Sequence, residues 1–216
     1  MAVEDGSATD WVAWHRDYSD PSSRLSQRLA AVVSRARDAL GALPAGRVRL
    51  ISACAGQGLD VLGALDQHPR SSDVMGRLVE ADPGNAEACR VALASAGLTG
   101  IESVCGDAST TAAYAGAAPA DLVLLCGIFG NISDIDVRET IAHAPMLCAP
   151  GAYVIWTRHR QEPDLTPRIR HWFASSGFEE HAFDSPGPGE WSVGVHRLAA
   201  RPVPLRQGVR LFTFIR

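Results

Sequence analysis

Three short stretches hold the side chains whose types and spacing could do chemistry. The first is "SACAGQG", residues 52–58, where the apolar run Val48 to Ile51 enters a loop of very small residues. Gly56 and Gly58 allow a tight turn and a close approach of a ligand to the backbone. The second is "RLVEADP", in which Glu80 stands 22 residues after Gly58. An acid at that place can accept hydrogen bonds from both hydroxyls of a ribose. The third is "VCGDAS". Asp107 there can accept from an exocyclic adenine amine, and the backbone of Ala108 can read a ring nitrogen. Each stretch alone also has a plain explanation: a Gly-x-Gly turn is often only a turn, Glu80 could be a solvated acid, and Asp82 could simply cap a helix. The three in succession point to a nucleoside-bearing ligand.

Something must hold these stretches together, and the intervening elements say what. Apolar runs and helix-period patterns alternate along the chain. "RVRLISA" reads as a strand and residues 58–67 as a helix. "GRLVEA" is a second strand, and Pro83 opens a helix that ends near Gly97. "IESVCG" is a third strand. "ADLVLLCG" is a continuous apolar run of the kind buried on both faces of a sheet, and Ser133 caps a helix running to about Cys148. "AYVIWTR", "LTPRIRHWFASSG", "FEEHAF" and the terminal "RLFTFI" follow as strand, helix, strand and strand. Residues 185–208, rich in Pro and Gly, carry no legible element. Upstream, Asp20 and Pro21 read as the cap and first residue of a helix over 21–42, with Leu25, Leu29, Val32, Val33 and Leu40 as its apolar face. Repeated βα units predict an α/β fold: a doubly wound, mostly parallel seven-stranded sheet with helices on both faces. Ligands of such sheets sit beyond the carboxyl ends of the strands, where all three stretches fall. The expected division is an N-terminal helical lid or cap segment, 1–43, and a ligand-binding domain, 44–216.

Composition narrows the function further. The 216 residues suit one α/β domain, and 46% hydrophobic with 20% charged residues is ordinary for a soluble protein. No apolar run approaches the roughly 18 residues needed to span a membrane, and the acidic N-terminus lacks a signal pattern. A cytoplasmic protein without a membrane partner is expected. Cys54, Cys89, Cys105, Cys126 and Cys148 form no C-x-x-C pair, which predicts structural thiols and no metal. All 20 basic residues are arginines, so Schiff-base and P-loop lysines are excluded. The net charge of −4 argues against general nucleic-acid binding. Residues 157–216, with 9 Arg against 6 acids, are the stretch that would suit an anionic partner.

With its motifs in this order, the sequence resembles the class I S-adenosylmethionine-dependent methyltransferases over roughly residues 20–184. The resemblance implies a Rossmann-like methyltransferase fold, S-adenosyl-L-methionine as cofactor, and transferase activity. It places the glycine loop beside the methionine part, Glu80 with Ala81 and Asp82 at the ribose, and Gly106, Asp107 and Ala108 at the adenine. The family loop often reads acid-x-Gly-x-Gly-x-Gly. Here Ser52 stands at the acid position, Ala53 follows, and Cys54 stands at the first glycine, while Gly56 and Gly58 match. An NAD-binding dehydrogenase shares the first βαβ logic, but its strict G-x-G-x-x-G is absent, because Val61 occupies the last glycine position.

In that family the loop after the fourth strand, here "CGIFGNIS", faces the methyl group and the acceptor. Cys126 is expected beside the donor, Phe129 as a wall, and Asn131 as a group that orients the acceptor. No Asn-Pro-Pro-aromatic motif occurs, so amino methylation of that type is not indicated. At the fifth strand's end, "IWTRHR" offers His159 as first candidate for a general base, with His196 in "GVHRL" second. Arg158 and Arg160 are candidates for holding an anionic acceptor. From the N-terminal "WVAWHRDYSD", Trp14 is expected in an aromatic lid, and Tyr18, Arg24 or Arg28 at the methionine carboxylate, which arginine can meet bidentately. The expected function is methyl transfer to a small-molecule acceptor. The alternatives are a nucleic-acid methyltransferase and a catalytically inactive S-adenosylmethionine-binding or regulatory protein. A homodimer is compatible with the sequence.

Overall fold

A computed structural model describes residue 20 and residues 22–215. Trp14 and Tyr18 lie outside the described residues, as does Pro21. In chain order the elements are α1 (Arg24–Ala42), β1 (Val48–Ala53), α2 (Leu59–Leu65), β2 (Val74–Glu80), α3 (Pro83–Ser95), β3 (Ile101–Cys105), β4 (Ala120–Leu125), α4 (Asp134–His143), β5 (Cys148–His159), α5 (Thr166–Ser175), β6 (Phe178–Asp184) and β7 (Trp191–Leu198). They build a seven-stranded sheet in the order β3-β2-β1-β4-β5-β7-β6. Only β7 runs against its neighbours, β5 and β6. The strand order reverses between β1 and β4, and their following connections leave in opposite directions. That switch point opens the crevice in which such sheets hold ligands.

The core forms on both faces of the sheet. On one, Val32, Ala36 and Leu40 of α1 pack with Val61 and Leu65 of α2, Cys89 and Leu93 of α3, and Leu50, Leu78 and Leu124 of the strands. On the other, Val137 and Ile141 of α4 and Ile169 and Phe173 of α5 cover Ile51, Val79, Val123 and Trp156. The 4-residue spacing of Val32, Ala36 and Leu40 gives α1 one narrow buried seam. No helix among the described residues is long and apolar enough to cross a membrane.

Three sequence expectations need correction. The cap of α1 is Ser23, whose hydroxyl accepts from the Ser26 N–H. The Asp20 carboxylate is engaged one turn earlier, accepting from the backbone and hydroxyl of Ser22. Helix α4 stops at His143, short of Cys148, because Pro145 has no N–H to continue the ladder and a 3₁₀ turn takes over at Ala144–Met146. The terminal residues 210–215 are not a strand. They make two isolated bridges, Thr110 to Arg210 and Ile132 to Phe214, and lie across the loops at the carboxyl ends of β3 and β4. The Leu211 N–H donates to Ser109 and the Ile215 N–H to Asn131.

The seventh strand comes instead from the Pro- and Gly-rich stretch. Gly194 of β7 pairs with Trp156 of β5, and the glycine is what lets the indole lie over the sheet. A Cβ at 194 would fall 2.2 Å from Trp156 Cε2. Trp156 is fully buried and already stacked on Phe173 with centroids 6.0 Å apart, so it has nowhere to move. Gly194→Ala should therefore cost about 1–3 kcal/mol or more through overpacking. A urea titration checks this: an unshifted midpoint would show that the indole relaxes freely.

Candidate functional site

A cavity of about 610 Å³ lies at the carboxyl ends of β1, β2, β3 and β4. Glu80, the last residue of β2, organises its floor. One carboxylate oxygen accepts from the Gly56 N–H at 2.8 Å and the other from the Asp82 N–H at 2.9 Å. The Ala55 N–H adds a bond to the Val79 carbonyl. The loop after β1 is thus tied to the end of β2. A carboxylate offers about four acceptor positions, so Glu80 keeps capacity for a ligand. Asp82 also borders the cavity, and its side chain caps α3 by accepting from Asn85 N–H at 2.7 Å.

The loop itself bends through left-handed backbone at Cys54 (φ 53°), Gly56 (φ 55°) and Gly58 (φ 73°). Gly58 does not face the ligand space. A Cβ there would lie 2.7 Å from Cys89 Sγ and 3.1 Å from Leu78 Cδ2, so this glycine lets the loop settle onto α3 and β2. Cys54 takes a glycine-like conformation at the position where the resembled family places glycine. Burial pushes its thiol far above the usual range, which makes it an inert wall of the cavity.

At the β3 end, Asp107 accepts from the Ser109 hydroxyl and N–H. The Ser109 bonds hold the Asp107 carboxyl below its usual value, so it is ionised at neutral pH. Arg210, from the terminal segment, lies 3.8 Å from the other oxygen of Asp107 and donates to Ser109. Ala108 is buried, and its carbonyl accepts from the Tyr114 hydroxyl at 2.6 Å.

The opposite end of the cavity holds an acid that the sequence reading missed. Asp60, in the first turn of α2, borders the cavity together with Arg28 and Cys126. Burial pushes its carboxyl up to about 6, against the Val61 N–H, its own N–H and the charge of Arg28, which pull it down. Its position gave it away only weakly: it follows the glycine loop by two residues, in a chain whose loop acid is replaced by Ser52. Nearby, the Gly127 N–H donates to Thr157 and the Asn131 side-chain amide donates to the Gly127 carbonyl, both at 2.8 Å. Asn131 is thereby held at the cavity wall.

The structure brings Cys54, Gly56, Glu80, Ala81, Asp82, Asp107, Ala108, Cys126 and Asn131 to this one cavity. Ser52 and Ala53 are buried within β1 beneath it. The Gly106 N–H donates to the Glu80 carbonyl and fastens β3 to β2. Other candidates lie elsewhere. Phe129 is fully buried against Trp156 in the core rather than forming a wall. The Arg158 guanidinium donates to the Phe129 carbonyl and so braces the β4 loop. Arg160 is paired with Asp164 at 2.9 Å. His196 is 1% exposed, stacks on Phe173 at 4.3 Å, and accepts from the Trp156 indole N–H. Burial pushes it down to about 4. It is a core histidine, because β7 rather than the terminal segment forms the seventh strand. His159 borders a separate, smaller cavity of about 150 Å³.

No protein-family model matches this sequence, and no curated protein does. Solved structures do match. Magnesium protoporphyrin IX methyltransferase (ChlM) from Synechocystis PCC 6803, with bound SAM, shares 14% identity over 88% of this chain and 91% of its own, with a TM-score of 0.66. An O-methyltransferase family protein from Burkholderia thailandensis shares 19% identity over 86% of this chain, TM-score 0.59. This chain spans 62% of that protein's length. An O-methyltransferase family 2 protein from Planctomyces limnophilus, in complex with apigenin, shares 17% identity over 87% of this chain, TM-score 0.59. The chain has the Rossmann-like fold of S-adenosylmethionine-dependent methyltransferases.

Proposed function

We propose that the chain is an S-adenosylmethionine-dependent methyltransferase, cytoplasmic, acting on a small-molecule acceptor. One observation carries this reading. A single cavity holds an ionised acid at the β3 end, a backbone-fixed acid at the β2 end, and a facing acid and arginine beside β1 and β4. That sequence of groups suits adenine, ribose and a zwitterionic amino acid, in that order. The volume of about 610 Å³ lies within the usual range of roughly 300–1,000 Å³ for ligand pockets. The resemblance to structures crystallised with SAM and with apigenin supports both the donor and a small acceptor.

When bound, S-adenosylmethionine supplies an electrophilic methyl group on a sulfonium. The protein's task is to position it, since methyl transfer is an in-line displacement. Asp107 accepts from the adenine amine, and Glu80 accepts from the ribose hydroxyls while its backbone bonds keep it from swinging. Asp60 takes the ammonium group in the role that Ser52 cannot fill, and Arg28 takes the carboxylate. Asn131, fixed by its bond to Gly127, orients the acceptor. Arg28, Leu29 and Val32 of α1 supply one wall of the cavity.

Glu80→Ala should weaken donor binding by about 1.5–3 kcal/mol, the size of lost hydrogen bonds to a charged group. Asp82→Ala should instead lower stability by about 1 kcal/mol through the lost cap, with little change in affinity. Calorimetry with S-adenosylhomocysteine and a thermal melt of each variant separate the two. A loss of affinity confined to Asp82→Ala would mean that the ribose acid is misassigned.

Donor binding should also depend on pH in a direction set by Asp60. Its carboxyl is neutral below about 6 and charged above it, and only the charged form attracts an ammonium group. Arg28, Cys126 and Cys89 face it, and neither thiol ionises in this range because burial raises both. Affinity for S-adenosylhomocysteine should therefore fall as pH drops through about 6. Asp60→Asn should bind about ten- to a hundredfold more weakly at pH 8 and lose that dependence. An unchanged pH profile in the variant would remove Asp60 from the site.

A further inference from the structure

Part of the cavity's border is supplied by neither a strand nor a helix. The terminal segment, residues 209–215, runs along it from the β3 end to the β4 end. At the first, the Leu211 N–H donates to the Ser109 carbonyl at 2.7 Å. At the second, the Ile215 N–H donates to the Asn131 carbonyl at 2.9 Å. Between them the Thr213 N–H donates to the Asp136 carboxylate at 3.3 Å. Leu211 and Phe212 are buried and anchor the segment in the core. Arg210, Thr213 and Phe214 border the cavity.

Phe214 is the aromatic side chain that the core does not take. It is 43% exposed, against 2% for Leu211 and 1% for Phe212. Its ring is nevertheless held in place. It meets Phe212 edge to face, with centroids 5.3 Å apart, and its backbone bridges to Ile132. A fixed, half-uncovered ring at the border of a cavity favours another ring against it. Under the donor reading above, adenine lies at the β3 end and the methionine part at β1 and β4. Phe214 stands at the β4 loop, past the donor, where the acceptor approaches. This step rests on that reading. The lining groups of that loop and its surroundings, Gly127, Asn131, Thr157 and Thr213, are polar without charge. The Asn131 amide nitrogen is engaged by the Gly127 carbonyl, which leaves the side-chain oxygen to accept from a ligand. An anion buried there would have no partner among these groups, which is costly.

We infer that Phe214 is a specificity-determining residue that stacks on the acceptor, a neutral molecule with a flat apolar ring and a hydroxyl that donates to Asn131. The wall expected from Phe129, which the core has taken, is then supplied by Phe214 from the far end of the chain. An aromatic ring there selects for a flat partner, and the uncharged surroundings select against its anionic analogues.

The test is calorimetry on the full chain. S-adenosylhomocysteine is titrated first, then phenol, cyclohexanol and benzoate, each into the resulting complex. Phenol should bind. Cyclohexanol, which offers no flat face, should bind about three- to tenfold more weakly. Benzoate should bind at least about tenfold more weakly, because its charge goes unpaired. Phe214→Leu keeps apolar bulk and removes the ring, so it should weaken phenol about three- to tenfold. Ile215→Ala leaves the backbone bond to Asn131 in place and should change nothing. S-adenosylhomocysteine affinity should stay the same in both variants, which also reports that they fold. Absent heat from S-adenosylhomocysteine would overturn the donor reading and this inference with it. Heat there and none from phenol would overturn this inference alone. Equal binding of cyclohexanol or benzoate, indifference to Phe214→Leu, or an equal loss in Ile215→Ala would also overturn it. So would a loss of S-adenosylhomocysteine affinity in Phe214→Leu, which would put the ring on the donor.

Discussion

The carboxylate of Glu80 is the contact on which the cavity depends. It sits at the end of β2, between β1 and β3, and its two oxygens hold the backbone of the preceding loop and of the following turn. Without it the loop after β1 would have little reason to keep three left-handed residues in five. One of them, Cys54, bears a side chain, and left-handed backbone costs an L-residue about 1–2 kcal/mol. Such strain persists only where surrounding contacts over-determine it. Here those contacts are the Glu80 bond to Gly56, the Ala55 bond to Val79, and the packing of Gly58 on Cys89 and Leu78. The tight turn is therefore a packing requirement of the fold, and the cavity is what the packed turn leaves open.

Around that fixed floor the charges are divided by position along the sheet. The β3 end carries an ionised acid near the surface, supported by Ser109 and approached by Arg210. The β1–β4 end carries a desolvated acid beside Arg28. Burial of Asp60 is unfavourable for its charge, and a bound ammonium group would offset that cost. A site can in this way store part of its selectivity for cations in a poorly solvated acid. Under the proposed reading, Asp60 supplies the carboxylate that Ser52 does not.

The strand ends were legible in the sequence because each combines an apolar run with an abrupt polar residue: Glu80 closes β2, Asp107 follows β3 after Gly106, and Pro83 marks a helix start by itself. What misled were residues whose neighbours in space are far away in sequence. The motif around His196 looks like an exposed strand end, yet Trp156 and Phe173 enclose it. Phe129 sits in a loop motif but points into the core. Strand β7 was hidden because Gly194 reads as a breaker, while its true reason is the indole of Trp156 across the pair. The terminal "RLFTFI" has strand composition but finds only isolated bridges, since the sheet edge is already taken by β6. Asp60 looked like any acid in the first turn of a helix, and only the cavity gives it another meaning.

Central to this account is that the cavity takes a sulfonium nucleoside rather than a dinucleotide. Isothermal titration of the full chain with S-adenosylmethionine, beside NAD under the same conditions at pH 8, tests it most directly. Saturable binding of S-adenosylmethionine, with NAD at least about tenfold weaker, is the expected result. Tight binding of NAD with no response to S-adenosylmethionine would contradict it.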